Sequence, residues 1–235
     1  MINLSGKVAI VTGGSVGGEL ARGFLEAGAN VAFVYRNPGR GTELRKEFEK
    51  FSGTFQPVQA DLADAGQARN AVASVKGEFG GVDFLLNSLG GWLGGKKLHE
   101  HTAEELQRMI SMDLVPTFNI MSAVLPIMSE QKFGRVVNFI SMQVFGTGAG
   151  NSVYAASKAA VFSLSKAASE EYKNSGVAVY TVAPSTIDTP NNRKSMPNAD
   201  TKKWVSISEI VAALLFLCGT GDSLNGTVLK FPGKI

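Results

Sequence analysis

Apolar residues fall into two rhythms that alternate from one end of the chain to the other. Short, almost unbroken apolar runs rich in β-branched residues predict strands at 8–12, 31–35, 55–60, 84–87, 136–140, 177–182 and 228–231. Between them, at 17–27, 41–51, 65–79, 103–112, 116–130, 153–174 and 208–217, apolar positions recur with the helical period. This alternation specifies βαβ units, and strands apolar on both faces require helices on both sides of the sheet. The pattern therefore predicts an α/β fold, a doubly wound seven-stranded parallel sheet, in a single domain over residues 1–235. Thr102 and Glu105 have capping-box spacing and mark a helix start. Only 184–205 lacks both rhythms. Polar and interrupted by Pro190 and Pro197, it predicts a long functional loop at the substrate.

Composition narrows the partners without changing the fold. The 235 residues carry 23 basic and 20 acidic side chains, a net +3, and 44% are hydrophobic, which excludes disordered and fibrous classes. The basic residues are scattered rather than gathered on one face, so no nucleic-acid or membrane footprint is expected. The longest purely apolar run, 210–218, is about half a membrane-spanning length. Residues 1–30 show no charged leader followed by an apolar stretch, and a cytoplasmic protein is expected. Cys218, the single cysteine, closes an apolar helix and reads as packed rather than reactive. His99-Glu100-His101 lacks a third ligand at a useful spacing and lies beside Lys96 and Lys97, so it predicts a solvated turn and no metal.

Chemistry-bearing residues collect at strand ends. The first strand runs into Gly13-Gly14-Ser15-Val16-Gly17-Gly18 and then a helix, which brings unpaired N–H groups and the positive end of the helix dipole to one spot, an anion site. A tight strand-to-helix connection needs the same glycines. With this turn the residues begin to resemble the short-chain dehydrogenase/reductase family, whose members open with a strand, Thr-Gly-x-x-x-Gly-x-Gly and a helix. Thr12, Gly13 and Gly17 fit, but the last glycine falls on Glu19. Counting three, four, seven and eight residues on from Gly17 gives Leu20, Ala21, Phe24 and Leu25, an apolar face; counting from Glu19 gives Arg22, Gly23, Glu26 and Ala27. Gly17 thus takes the last glycine's place, in a loop two residues shorter than the family's. The resemblance implies a dinucleotide-binding Rossmann-type domain, with contacts from Gly13, Ser15, Val16 and Gly17.

The same resemblance runs on along the sheet. Tyr35 stands where NAD-binding proteins carry a carboxylate and Arg36 follows it; a guanidinium there suits a 2′-phosphate, so NADP(H) is expected, with NAD(H) as the alternative. Asp61-Leu62 resembles the family's adenine-contacting pair, and Asn87-Ser88-Leu89-Gly90 its Asn-Asn-Ala-Gly, with Asn87 and Gly90 kept. Pro184-Ser185-Thr186-Ile187-Asp188-Thr189 resembles its Pro-Gly-x-x-x-Thr, which implies contacts from Pro184, from the backbone of Ile187 to the carboxamide and from Thr189 to the pyrophosphate.

Tyr154 and Lys158, four residues apart, share a helix face, and a nearby ammonium favours a phenolate useful for proton transfer. Ser141 ends a strand 13 residues upstream. Together the three resemble the family's catalytic set. By that resemblance Tyr154 is general acid or base at a carbonyl or alcohol oxygen, Ser141 steadies that oxygen, and Lys158 binds the nicotinamide ribose and lowers the tyrosine's pKa. Where many members add an asparagine to a proton relay, this chain carries Asp113. The segment 188–200 followed by Trp204 resembles dihydropteridine reductases, which makes pteridine reduction a second expectation. The departures in the glycine loop, at Ser185 and at Asp113 make a dinucleotide-binding protein without turnover a third. A small-molecule carbonyl or alcohol substrate and assembly as a homo-oligomer, dimer or tetramer, complete what the resemblance implies. Trp92 and Trp204 either wall a substrate pocket or cover the core edge, and the sequence leaves both open.

Overall fold

The computed structural model describes residues 2–51, 53–146, 148–219 and 222–233. Its strands are β1 (Val8–Thr12), β2 (Asn30–Tyr35), β3 (Phe55–Gln59), β4 (Phe84–Asn87), β5 (Gly134–Phe139), β6 (Val177–Pro184) and β7 (Val228–Phe231). They form one parallel sheet in the order β3-β2-β1-β4-β5-β6-β7. The chain is a doubly wound Rossmann-type α/β domain. Its helices are α1 (Ser15–Glu26), α2 (Arg40–Phe48), α3 (Ala65–Phe79), α4 (Ala103–Gln131), α5 (Ser152–Glu171), α6 (Pro190–Ser195) and α7 (Ile207–Gly219).

Strand period sorts the apolar side chains into two cores. Ala9 and Val11 of β1 face Leu20 and Phe24 of α1 and Ile210 and Leu214 of α7, while Val8 and Ile10 face Val72 of α3 and Ile120 and Val124 of α4. That is why β1 is buried from end to end and reads as an unbroken apolar run. Strand order reverses between β1 and β4, and the crevice at their C-terminal ends is where a doubly wound sheet binds its ligand.

Two elements differ from the sequence reading. The helices expected at 103–112 and 116–130 are one, α4, with Pro116 and Pro126 inside it. Pro116 leaves the Met112 carbonyl without its helical donor, and two neighbouring helices hold the axis: α4 is buried on α3 and α5 through Met109, Ile120, Met121 and Val124. At the same turn the Thr117 hydroxyl donates to the Asp113 carbonyl at 2.7 Å. The capping box forms as expected, with Glu105 N–H on Thr102 Oγ1 and Thr102 N–H on Glu105 Oε2, both at 3.2 Å. In 184–205, α6 starts at Pro190 with Thr189 as its cap, and Ile187 bridges to Val205. The expected loop is thus folded back on itself rather than irregular.

Candidate active site

The glycine turn lies across the C-terminal ends of β1 and β4. Gly13 has φ 109°, and a β-carbon there would stand 2.4 Å from the Ser88 hydroxyl oxygen and 2.9 Å from the Ser88 carbonyl. A β-carbon on Gly17 would meet the Thr12 carbonyl at 2.6 Å. Gly14 and Gly18 have open space around them. Gly17 therefore fills the crowded position against the sheet, in line with its register, and Leu20, Ala21, Phe24 and Leu25 are all buried beneath α1. Gly14 caps α1 without a side chain and Gly18 makes the first helical bond, so the N–H groups of Ser15, Val16 and Gly17 emerge from the helix start.

The residues that the sequence expects along a dinucleotide divide into exposed and committed ones. Arg36 is exposed at the end of β2, and Tyr35 is half-buried against α2, its hydroxyl beside Gly41. The Asp61 carboxylate accepts the Ala63 N–H at 3.0 Å, while Leu62 is buried in the core and its carbonyl accepts from Asn119 at 2.9 Å. The Asn87 side chain is engaged inside the fold: it accepts from Thr12 at 2.8 Å and donates to Thr117 and Asn138 at 3.0 Å each. Asn138 continues to Ser165 at 2.9 Å. This buried network ties β1, β4, β5, α4 and α5 together beneath the site, and its satisfied groups hold the strand ends in register. Pro184 ends β6. The Ile187 carbonyl accepts from Asn192 at 2.8 Å, and Thr189 is buried at the cap of α6.

At the reactive end, Ser141, Tyr154 and Lys158 converge with Asp113. The Tyr154 phenol lies near enough to the Ser141 hydroxyl for that group to act on its pKa. Lys158, 4% exposed, donates to the carbonyls of Leu89 at 3.0 Å and Phe139 at 3.2 Å, and its ammonium lies 3.6 Å from Asp113 Oδ1. Gly90, with φ 147°, passes so close that a β-carbon would lie 2.5 Å from Lys158 Nζ and 2.7 Å from Asp113 Oδ1. Burial holds the Lys158 pKa below the ordinary lysine value, opposed by Asp113. The Tyr154 pKa is raised, first by burial and then by the Asp113 charge, against the lowering effect of Ser141. The sequence reading expects a tyrosine lowered by Lys158; burial raises it instead, with the Asp113 charge a smaller contribution in the same direction.

A family model described as short chain dehydrogenase matches residues 7–200. The chain belongs to the short-chain dehydrogenase/reductase family. Members of this family are oxidoreductases. The 2-(R)-hydroxypropyl-CoM dehydrogenase of Xanthobacter autotrophicus is 30% identical over 243 residues, covering 97% of each chain. Among solved structures, ElxO with NADP bound superposes with a TM-score of 0.90 at 23% identity over 96% of each chain. NAD+-bound xylitol dehydrogenase gives 0.88 at 20% over 98% of this chain and 99% of that one. These two likenesses are of fold, and the fold accommodates either dinucleotide.

Several residues of this short-chain dehydrogenase/reductase were not singled out from the sequence. Ser157 donates to Asp113 Oδ2 at 2.5 Å, and Gly91 N–H donates to Asp113 Oδ1 at 3.2 Å. Ser157, three residues after Tyr154, carried a helix-face signal; Gly91 carried none, because its backbone does the work. The tryptophans separate. Trp204 is buried beside Val205, whereas Trp92 is 63% exposed and donates to Asn151 at 2.9 Å, just before α5. His101 pairs with Glu105 at 2.8 Å, and burial pushes the Cys218 thiol far up.

Proposed function

We propose that this chain transfers hydride between NADP(H) and a small carbonyl or alcohol substrate, with Ser141, Tyr154 and Lys158 as its reactive set. The observation that carries this is the convergence of a phenol, a hydroxyl and a buried ammonium at the ends of β4 and β5, next to the glycine turn. The residues present fit a dinucleotide, since the N–H groups of Ser15, Val16 and Gly17 emerge at the start of α1 beside the open space around Gly14 and Gly18, while Gly13 and Gly17 let the turn pack close against β4 and β1. Ser15, Val16 and Gly17 would hold the pyrophosphate, with Thr189 near it; Asp61, Leu62 and Asn87 would border the adenine side, and Gly90, Pro184 and Ile187 the nicotinamide side. When bound, the dinucleotide supplies or takes up the hydride.

Tyr154 moves the proton at the substrate oxygen, and Ser141 steadies that oxygen as charge develops on it. Lys158, held by the Leu89 and Phe139 carbonyls with Asp113 behind it, would bind the nicotinamide ribose. The pteridine alternative gains little support: the Arg193 fork is engaged by Asp188 at 2.6 and 2.8 Å, a structural task for that segment. Dinucleotide binding without turnover is separated from the main reading by a carbonyl screen together with the Tyr154 variant discussed below.

The cofactor preference rests on Arg36, exposed at the end of β2 with no carboxylate at Tyr35. Arg36→Asp is expected to lose roughly tenfold or more in NADPH affinity while NADH affinity holds or improves, read by fluorescence titration. Equal affinities for both dinucleotides in the unmodified protein would remove Arg36 from the reading. Assembly as a homo-oligomer belongs to the same reading, supported by Leu106 and Phe118 exposed on α4. Sedimentation equilibrium is expected to give a dimer or tetramer, and a monomeric mass at micromolar concentration would contradict it.

A further inference from the structure

Asp113 is fully buried on α4, and its carboxylate partners all come from the reactive end of the site: the Gly91 N–H, the Ser157 hydroxyl and the Lys158 ammonium. Gly90 closes over the pair, leaving no room for a β-carbon against either charge. A lone buried ammonium beside a phenol draws it toward phenolate. A buried carboxylate 3.6 Å behind that ammonium cancels the pull, so that Tyr154 sits beside a compensated pair instead of a free cation.

Resting on the hydride-transfer reading above, we propose that Asp113 is a positioning residue that neutralises Lys158 and keeps Tyr154 protonated, making the site a proton donor built for carbonyl reduction. In the reductive step the Tyr154 O–H bond breaks as an O–H bond forms on the former carbonyl oxygen, and the phenolate left behind is reprotonated from solvent. Alcohol oxidation needs the phenolate first, and is therefore expected to speed up as pH rises. The Tyr154 pKa is raised first by burial, and the Asp113 charge adds to it in the same direction.

Among the described residues, the other ionisable groups on the elements around Tyr154 are placed so as to leave this balance to Asp113 and Lys158. Glu105 of α4 is paired with Lys96 and His101, and Glu104 and Arg108 are exposed near that helix start. Arg135 lies at the opposite end of β5 from Ser141, and Tyr180 of β6 faces the α1 and α7 side of the sheet. Lys230 of β7 stacks on the Phe145 ring.

The test is a pH titration of dinucleotide-free protein labelled with 13C at the tyrosine ring carbon bearing oxygen, with the Tyr154 resonance identified by its absence from Tyr154→Phe. In the unmodified protein it is expected to inflect above the ordinary tyrosine value of about 10. In Asp113→Asn, whose amide oxygen still accepts from Gly91 N–H, it is expected about one pH unit lower or more. A purely structural Asp113 would leave the inflection where it was, and an inflection shared by the two proteins overturns the proposal. Should Asp113→Asn fail to fold by circular dichroism, Asp113→Ser, smaller and likewise uncharged, takes its place, with the same drop expected and an inflection shared with the unmodified protein overturning the proposal. The titration needs no substrate, so a high Tyr154 inflection without turnover on any carbonyl would count against hydride transfer and leave the role of Asp113 standing.

Discussion

Tyr154→Phe is expected to lose turnover by about 10²–10⁴-fold while keeping its affinity for the dinucleotide. The substitution removes one hydroxyl, near Ser141, and leaves the ring in place on α5. Nothing in the glycine turn or around Lys158 loses a contact, so the groups assigned to binding keep their geometry. Steady-state rates on a responsive carbonyl, set beside a fluorescence titration with NADPH, separate the two effects. A tyrosine that merely packed would give small and parallel losses in both. An unchanged rate in Tyr154→Phe would mean that the proton comes from another group.

Lys158→Met is expected to destabilise the fold by about 3–5 kcal/mol, because it strands a carboxylate that has no access to water. Asp113 is 0% exposed, and without the ammonium only the Gly91 N–H and the Ser157 hydroxyl remain to it. Methionine fills a similar volume, so little of the loss comes from a cavity. Adding Asp113→Asn removes the stranded charge and is expected to return most of the stability, although dinucleotide affinity stays low for want of the ammonium. Urea denaturation of the two single variants and the double variant measures this as a coupling energy. If Lys158→Met unfolds at the same urea concentration as the unmodified protein, the buried pair contributes nothing to the fold.

Much of the architecture was legible because the inner strands of the sheet bury both of their faces. An element such as β1 is apolar from Val8 to Val11 and closes on Thr12, so its limits are not blurred, and the α1 register resolved the glycine match at Gly17. Pro116 misled because local chemistry disfavours proline inside a helix, whereas α3 and α5 clamp α4 on both sides of it. The short α6 carried a readable signal, Thr189 followed by Pro190, but six residues are too few to show a period. The site was legible in its residue types and not in its charges. Tyr154 and Lys158 stand four apart on one helix, but Asp113 reaches them from 41 and 45 positions away through α4, and no local pattern gives its distance to Lys158. The sign of the Tyr154 shift follows first from burial and in smaller part from the Asp113 charge, both tertiary facts. Asn87 illustrates the same limit: its place at a strand end was readable, and its engagement with Thr12, Thr117 and Asn138 was not.

Whether the chain moves hydride at all is decided by isotope transfer. The protein is incubated with NADPH deuterated at the transferring position of the nicotinamide and a panel of aldehydes and ketones, and the alcohols formed are weighed by mass spectrometry. Hydride transfer with Tyr154 as proton donor predicts at least one alcohol carrying deuterium on its carbinol carbon, formed by the unmodified protein and lost in Tyr154→Phe. Tight NADPH binding with no deuterated alcohol from any carbonyl in the panel would contradict it and leave a dinucleotide-binding protein without turnover.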